Sequence, residues 1–156
     1  MTDERRRIVA FTVPYHESTL ALLVKPESAV QGLGDLLGKA VGVKVKTTGE
    51  SYLESHPGPV VRRIHSSGDL ASLFQGGVLE AVVFDRPIQE RWISSKAVDG
   101  RVVDLGQKET YAIAYRKGNA ALGKELDRAL SSLRKSGEMD RIMDKWLQAA
   151  PGGTAR

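Results

Sequence analysis

Three clusters carry the groups able to do chemistry in this chain: Thr47-Thr48-Gly49, His65-Ser66-Ser67 and the single carboxylate Asp85. Each directly follows a short apolar run rich in β-branched residues, which places each at the carboxyl end of an expected strand. In open α/β sheets that edge is where ligands sit. Thr47 and Thr48 offer hydroxyls, and a helix opening at Thr48 or Gly49 would aim its first backbone N–H groups at an anion. Asp85, at the same edge, suits an ammonium group. An anion receptor beside a carboxylate is what a zwitterion requires. The same residue types also serve as helix caps, with Asp85 capping its own helix beside Arg86, and the sequence leaves both readings open.

Other constellations are weaker. His16, His56 and His65 are far apart and none stands in a metal-ligand spacing. The chain has no cysteine, so it has neither a thiolate zinc site nor a disulfide framework. Ser66 follows His65 directly, but neighbours at a strand end point in different directions and make no nucleophile–base pair. There is no Gly-x-Gly-x-x-Gly and no phosphate loop. Glu50 is a possible general base, and better read as a first-turn carboxylate favoured by a helix dipole. The expectation is no catalytic residue, no metal and no cofactor.

The elements that must position these clusters are punctuated by Gly and Pro. Strands are expected at residues 8–13, 19–24, 40–45, 60–64, 81–84, 101–105 and 111–115. Helices are expected at 33–37, 48–55, from Ser66 or Ser67 through 74, and from Pro87 to about 95. Strands alternating with helices at this spacing predict βαβ units in an α/β fold with an open, mostly parallel sheet and flanking helices. The chain then changes character. Leu122, Leu126, Ala129, Leu130 and Leu133 form one helical stripe; Met139, Ile142, Met143, Trp146 and Leu147 form another. These two C-terminal amphipathic helices must lay their apolar faces on something.

The 156 residues are enough for one domain or one large lobe, and the composition, 41% hydrophobic and 27% charged, is ordinary for a globular chain. The net charge of +4 is dispersed apart from Arg5-Arg6-Arg7, and aromatics are only 6%, so nucleic acid is not an expected partner. No run reaches the roughly twenty apolar residues of a membrane helix. No apolar segment follows the charged opening, so a signal peptide is not expected within this chain.

Five stretches in order resemble one family. They are Thr2-Asp3-Glu4-Arg5 with Val9-Ala10-Phe11-Thr12-Val13-Pro14-Tyr15; residues 33–43; residues 77–85; residues 111–118; and Ser136-Gly137-Glu138-Met139 with Lys145-Trp146-Leu147. Together they resemble the polar-amino-acid solute-binding proteins of ABC importers, family 3, whose fold is shared by glutamate-receptor ligand-binding cores. The resemblance implies a lobe of the periplasmic-binding-protein type II fold. It implies that Arg5 clamps a ligand α-carboxylate, that the Thr47-Thr48 loop adds hydrogen bonds to it, and that Asp85 takes the α-amino group. Lys46 departs from the pattern, standing where a glycine is frequent.

By the same resemblance, residues 1–16 correspond to the end of the first lobe and a hinge strand, and 17–108 to the second-lobe α/β domain. Residues 109–150 correspond to the return strand and C-terminal helices, with 151–156 a disordered tail. Most of a first lobe is then absent, a truncated or single-lobe form. The implied function is extracytoplasmic amino-acid binding for an ABC importer, with the permease as partner and a homodimer through the C-terminal helices. The alternatives are a regulatory, sensor or dimerisation module of the same fold, or a dehydratase-like enzyme.

Overall fold

The computed structural model describes residues 1–147, so the tail expected at 151–156 lies outside the described residues. In chain order the elements are α1 (Asp3–Ile8), β1 (Val9–Phe11), β2 (His16–Val24), a 3₁₀ turn (Leu33–Leu36), β3 (Ala40–Lys44), α2 (Thr48–Ser55) and β4 (Val60–Ile64). They continue as α3 (Ser67–Gln75), β5 (Ala81–Asp85), α4 (Arg86–Ser94), β6 (Arg101–Tyr111), β7 (Ala114–Arg116), α5 (Ala120–Lys135) and α6 (Glu138–Trp146). The described residues form two compact units, one of Thr19–Gln107 and one of Met1–Ser18 with residues 108–147. The chain passes between the units within β2 and within β6.

The Thr19–Gln107 unit is built on a five-stranded sheet in the order β4-β3-β5-β2-β6. Strand β3 runs parallel to both β4 and β5, while β2 is antiparallel to β5. The sheet is thus mixed, with its βαβ part parallel as expected. The antiparallel pair arises because β2 enters ahead of the first helical crossover.

Residues Leu20, Ala21, Leu22, Leu23 and Val24 of β2 are fully buried, the mark of a strand covered on both faces. Alternation along β2 and β5 sends Leu22, Val24, Ala81 and Val83 to one face, where they meet Leu36 and Leu53. Leu23, Val82 and Phe84 face the other way, against Leu70, Phe74 and the flanking Ile88 and Trp92. Helix α2 therefore covers one face and α3 and α4 the other. This follows from connection handedness: the chain steps from β3 out to β4, then back past β3 to β5. Right-handed crossovers in opposite directions must use opposite faces.

In the other unit, β1 and β7 form a two-stranded antiparallel ribbon with Val9 opposite Arg116. Helix α5 approaches it closely at Gly123, where any Cβ would fall 2.3 Å from the Tyr115 hydroxyl. The Val13 N–H donates to Asp127 Oδ1 at 2.9 Å, and Arg134 donates to the Pro14 carbonyl.

Three expectations change. Residues 8–13 do not form one strand, because Ile8 ends a helix. That helix has Thr2 as cap, accepting from the Arg5 N–H, acidic Asp3 and Glu4 in its first turn and Arg5 to Arg7 in its last. This is the charge order a helix dipole favours. The strands expected at 101–105 and 111–115 are instead β6, continuous to Tyr111, and the short β7. Finally, the apolar stripe of α6 splits: Met139 is buried, and Met143 and Leu147 are half-buried, while Ile142 and Trp146 are exposed.

Candidate functional site

Strands β3, β4 and β5 are parallel, so Lys44, Ile64 and Asp85 end at one edge of the sheet, and antiparallel β2 begins there with Leu20 opposite Asp85. Adjacent strands β3 and β5 lead into helices on opposite faces. The crevice outside their carboxyl ends is a topological switch point, the place where open α/β sheets bind ligands. Thr47 and Thr48 follow β3, and Asp85 closes β5. Arg5 belongs to the other unit, on the exposed α1.

Helix α2 reaches this crevice because its first turn is a glycine. Gly49 is buried, and a Cβ there would lie 3.2 Å from Val83 Cγ1 and 3.3 Å from both Val43 Cγ2 and the Val83 carbonyl. A larger residue would lift the helix terminus off the ends of β3 and β5. Thr47 is the N-cap. Its hydroxyl donates to the Lys44 carbonyl at 2.7 Å and accepts from the Glu50 N–H at 3.4 Å. What the helix end offers an anion is therefore mainly its first backbone N–H groups, at Thr48 and Gly49, with the half-buried Thr48 side chain beside them.

Sequence reasoning missed how this loop is held. Lys46 adopts φ +60°, the left-handed region that favours glycine. The Lys46 N–H donates to Glu50 Oε2 at 2.7 Å, and Glu50 Oε1 accepts from Arg63 Nε at 2.6 Å. A second Arg63 nitrogen reaches Glu54 at 3.0 Å. The Lys46 N–H, then Arg63, hold the Glu50 carboxyl below its ordinary range. Glu50 is thus an ionised structural acceptor and a poor general base. The Thr-x-x-Glu spacing, that of a capping box, was the available signal, although here the carboxylate accepts from the residue before the cap. Its partner Arg63, thirteen residues away on another strand, carried none.

Asp85 is half-buried at the first position before α4, and its side chain makes no capping hydrogen bond to that helix. The first turn of α4 is supported instead by Pro87. Neighbouring Arg86 is directed elsewhere, to Glu90 at 2.7 Å and Asp104 Oδ2 at 2.9 Å. Asp104 also accepts from the Thr19 hydroxyl at 2.8 Å and the Gly106 N–H at 2.6 Å. These bonds, the Gly106 N–H first, hold its carboxyl below the usual aspartate range. Ser66 caps α3 through the Asp69 N–H at 3.3 Å, and His65 beside it is exposed.

The His56 ring stacks on Tyr52 with centroids 4.1 Å apart, and His16 lies 5.5 Å from Tyr111 in the other unit. Among the described residues no cluster of His, Cys, Asp and Glu is arranged to hold a metal ion, and no helix is long and apolar enough to cross a membrane. An open cavity lined by Lys25, Glu27, Asp35 and Glu80 lies at the opposite edge of the sheet. There Asp35 is occupied by the N–H groups of Gln31 and Gly32.

Comparison with known proteins gives the same fold. The chain is 30% identical over 154 residues to the putative ABC transporter arginine-binding protein 2 of Escherichia coli (strain K12), covering 95% of this chain and 63% of that protein. It superimposes with a TM-score of 0.87 and 26% identity on the amino acid ABC transporter substrate-binding protein AbpA from Streptococcus pneumoniae, solved bound to L-arginine. That match covers 96% of this chain and 65% of AbpA. A further match, TM-score 0.85 and 27% identity over 95% of this chain and 66% of the other, is the ancestral amino acid-binding protein AncCDT-1, a precursor of cyclohexadienyl dehydratase. The chain thus spans less than two thirds of the length of each of these three proteins. The model of the bacterial extracellular solute-binding proteins, family 3, matches residues 1–149, and the chain belongs to that family.

Proposed function

We propose that this chain binds an amino acid for an ABC-type importer, outside the cytoplasm, and performs no chemistry on it. The observation that carries the proposal is the seating of the α2 N-terminus at the β3–β5 switch point, with Asp85 at the end of the neighbouring strand. An anion receptor and a carboxylate at one crevice are complementary to the two charges of an amino-acid backbone. In this reading the Thr48 and Gly49 N–H groups and the Thr47-Thr48 loop take the α-carboxylate, Arg5 clamps the same carboxylate through a bidentate pair, and Asp85 takes the ammonium. The permease of the importer is the partner. A homodimer through α5 and α6 is part of the same proposal.

Calorimetric titration with L-arginine, L-histidine and L-glutamine tests it, these being ligands in the names of relatives. We expect saturable binding of at least one. Asp85→Ala and Arg5→Ala should each cost roughly 2–5 kcal/mol, the penalty for stripping one partner from a desolvated charge pair. Affinity unchanged within twofold in both variants would rule out the site.

A further inference from the structure

Resting on the reading of residues 46–50 as the carboxylate loop, we propose that Glu50 and Arg63 are positioning residues that hold this loop in its binding conformation. Their hold is needed because residue 46 is a lysine at a left-handed position. A residue with a Cβ leaves that region for an extended conformation unless something retains it. A 2.7 Å bond from the Lys46 N–H to Glu50 Oε2 retains it here.

Glu50 is not free to swing away, since its other oxygen is fixed by Arg63 on β4 at 2.6 Å. Arg63 is in turn braced by Glu54, one helical turn beyond Glu50 at 3.0 Å. The bracing thus runs from the edge strand β4 to the flank of α2 and then to the backbone just ahead of the Thr47 cap. If Lys46 relaxed, the Thr47 hydroxyl would lose its place between the Lys44 carbonyl and the Glu50 N–H. The Thr48 and Gly49 N–H groups would then no longer be presented as a set. Neither Glu50 nor Arg63 touches the ligand in this account. They act through the shape of the loop.

Residue 46 and residue 50 must therefore be coupled. A glycine at 46 adopts φ +60° without help, so it should remove the need for Glu50. The experiment is a double-mutant cycle on the whole chain, read by L-arginine affinity and by amide exchange in the absence of ligand. Glu50→Ala should weaken L-arginine binding about tenfold, the size expected for releasing one left-handed non-glycine residue. It should also speed exchange of the Lys46 N–H. In a Lys46→Gly background the same Glu50→Ala change should shift affinity by less than about twofold. Arg63→Met should reproduce a smaller part of the loss, again only when residue 46 is lysine.

An equal loss from Glu50→Ala in both backgrounds would make Glu50 a direct contact or a general stabiliser and overturn the proposal. So would slow, unchanged Lys46 exchange in Glu50→Ala. If the unaltered chain binds L-arginine and Asp85→Ala weakens it while Glu50→Ala does not, the positioning proposal fails and the binding reading stands. If the unaltered chain binds no amino acid, the binding reading fails and this inference with it.

Discussion

The two units of this chain are held by different forces. In the Thr19–Gln107 unit, β2 and β5 are covered on both faces and the core is two sets of buried side chains, mainly Leu, Val and Phe, one on each face of the sheet. In the unit containing α5 and α6, the described apolar side chains that are buried outright are Leu130 and Met139, while Ile8, Ile142 and Trp146 stay substantially exposed. That unit is tied by directional bonds onto backbone: Asp127 to the Val13 N–H, Lys117 to the Arg7 carbonyl, the N-terminal amine to the Thr110 carbonyl. Hydrogen bonds to charged groups contribute up to about 1.5–3 kcal/mol each and less where water reaches them, as it does at Asp127 and Lys117, against roughly 1.5–3 for burying one large apolar side chain. The first unit is therefore a self-sufficient core. The second has apolar surface to spare.

Emptying a core position in each unit should reveal the largest difference between them. Phe74 is fully buried in the cluster formed by Leu23, Leu70 and Val82. Phe74→Ala should cost about 3–5 kcal/mol in urea denaturation, and Leu130→Ala should fall near the lower end of its class, about 2 kcal/mol. Residue-resolved amide exchange should show β2 and β5 as the slowest segments and α6 among the fastest. Equal losses from the two substitutions would mean that the α5–α6 unit has a core of the same quality.

The next test concerns the spare surface. We expect self-association at high micromolar concentration through the exposed apolar side chains of α5 and α6, Leu122, Ile142 and Trp146, the last 53% exposed. Trp146→Ala and Leu122→Asp should each weaken it, by an amount comparable to one buried side chain, about 1.5–3 kcal/mol. Leu130 is buried and takes no part in that surface. A monomer by light scattering, with Trp146 shielded from quenchers, would mean that this face is satisfied within one chain.

The same contrast explains what the sequence disclosed. Helices α2, α3 and α4 were legible because each begins with residues of strong local meaning: the Thr47 and Ser66 caps and Pro87 in the first turn. The strands of the core were legible as short β-branched runs. The carboxyl-edge location of Thr47, Thr48 and Asp85 followed from those two readings together. The α1 helix was missed because its six residues bury nothing and show no apolar period, although its charge order was a usable signal. The division of α6 into Met139 inside and Trp146 outside was not legible, since an amphipathic stripe does not say how much of itself will be covered. Nor was the Glu50–Arg63 bond, which depends on β4 lying beside β3.

The smallest effect expected is on pH. Glu50 and Asp104, two carboxyls held below their ordinary range, lie in the Thr19–Gln107 unit. Asp104 ties β6 to Thr19 of β2 and to Arg86 of α4, close to the point where the chain passes out of that unit. A carboxyl depressed on folding contributes stability that is fully present above its unfolded value, about pH 4, and is lost as pH falls through the lower folded value. The chain should therefore keep its advantage over Asp104→Asn unchanged from neutral pH to about pH 5, and lose it progressively below about pH 4. With side-chain exposures of 43% and 40%, the Arg86–Asp104 pair is screened by solvent, so the advantage should not exceed about 1 kcal/mol. Urea midpoints of the two proteins between about pH 3 and 7 provide the check. A difference that persists undiminished at pH 3, or that widens with acid, would show that Asp104 contributes through packing rather than charge.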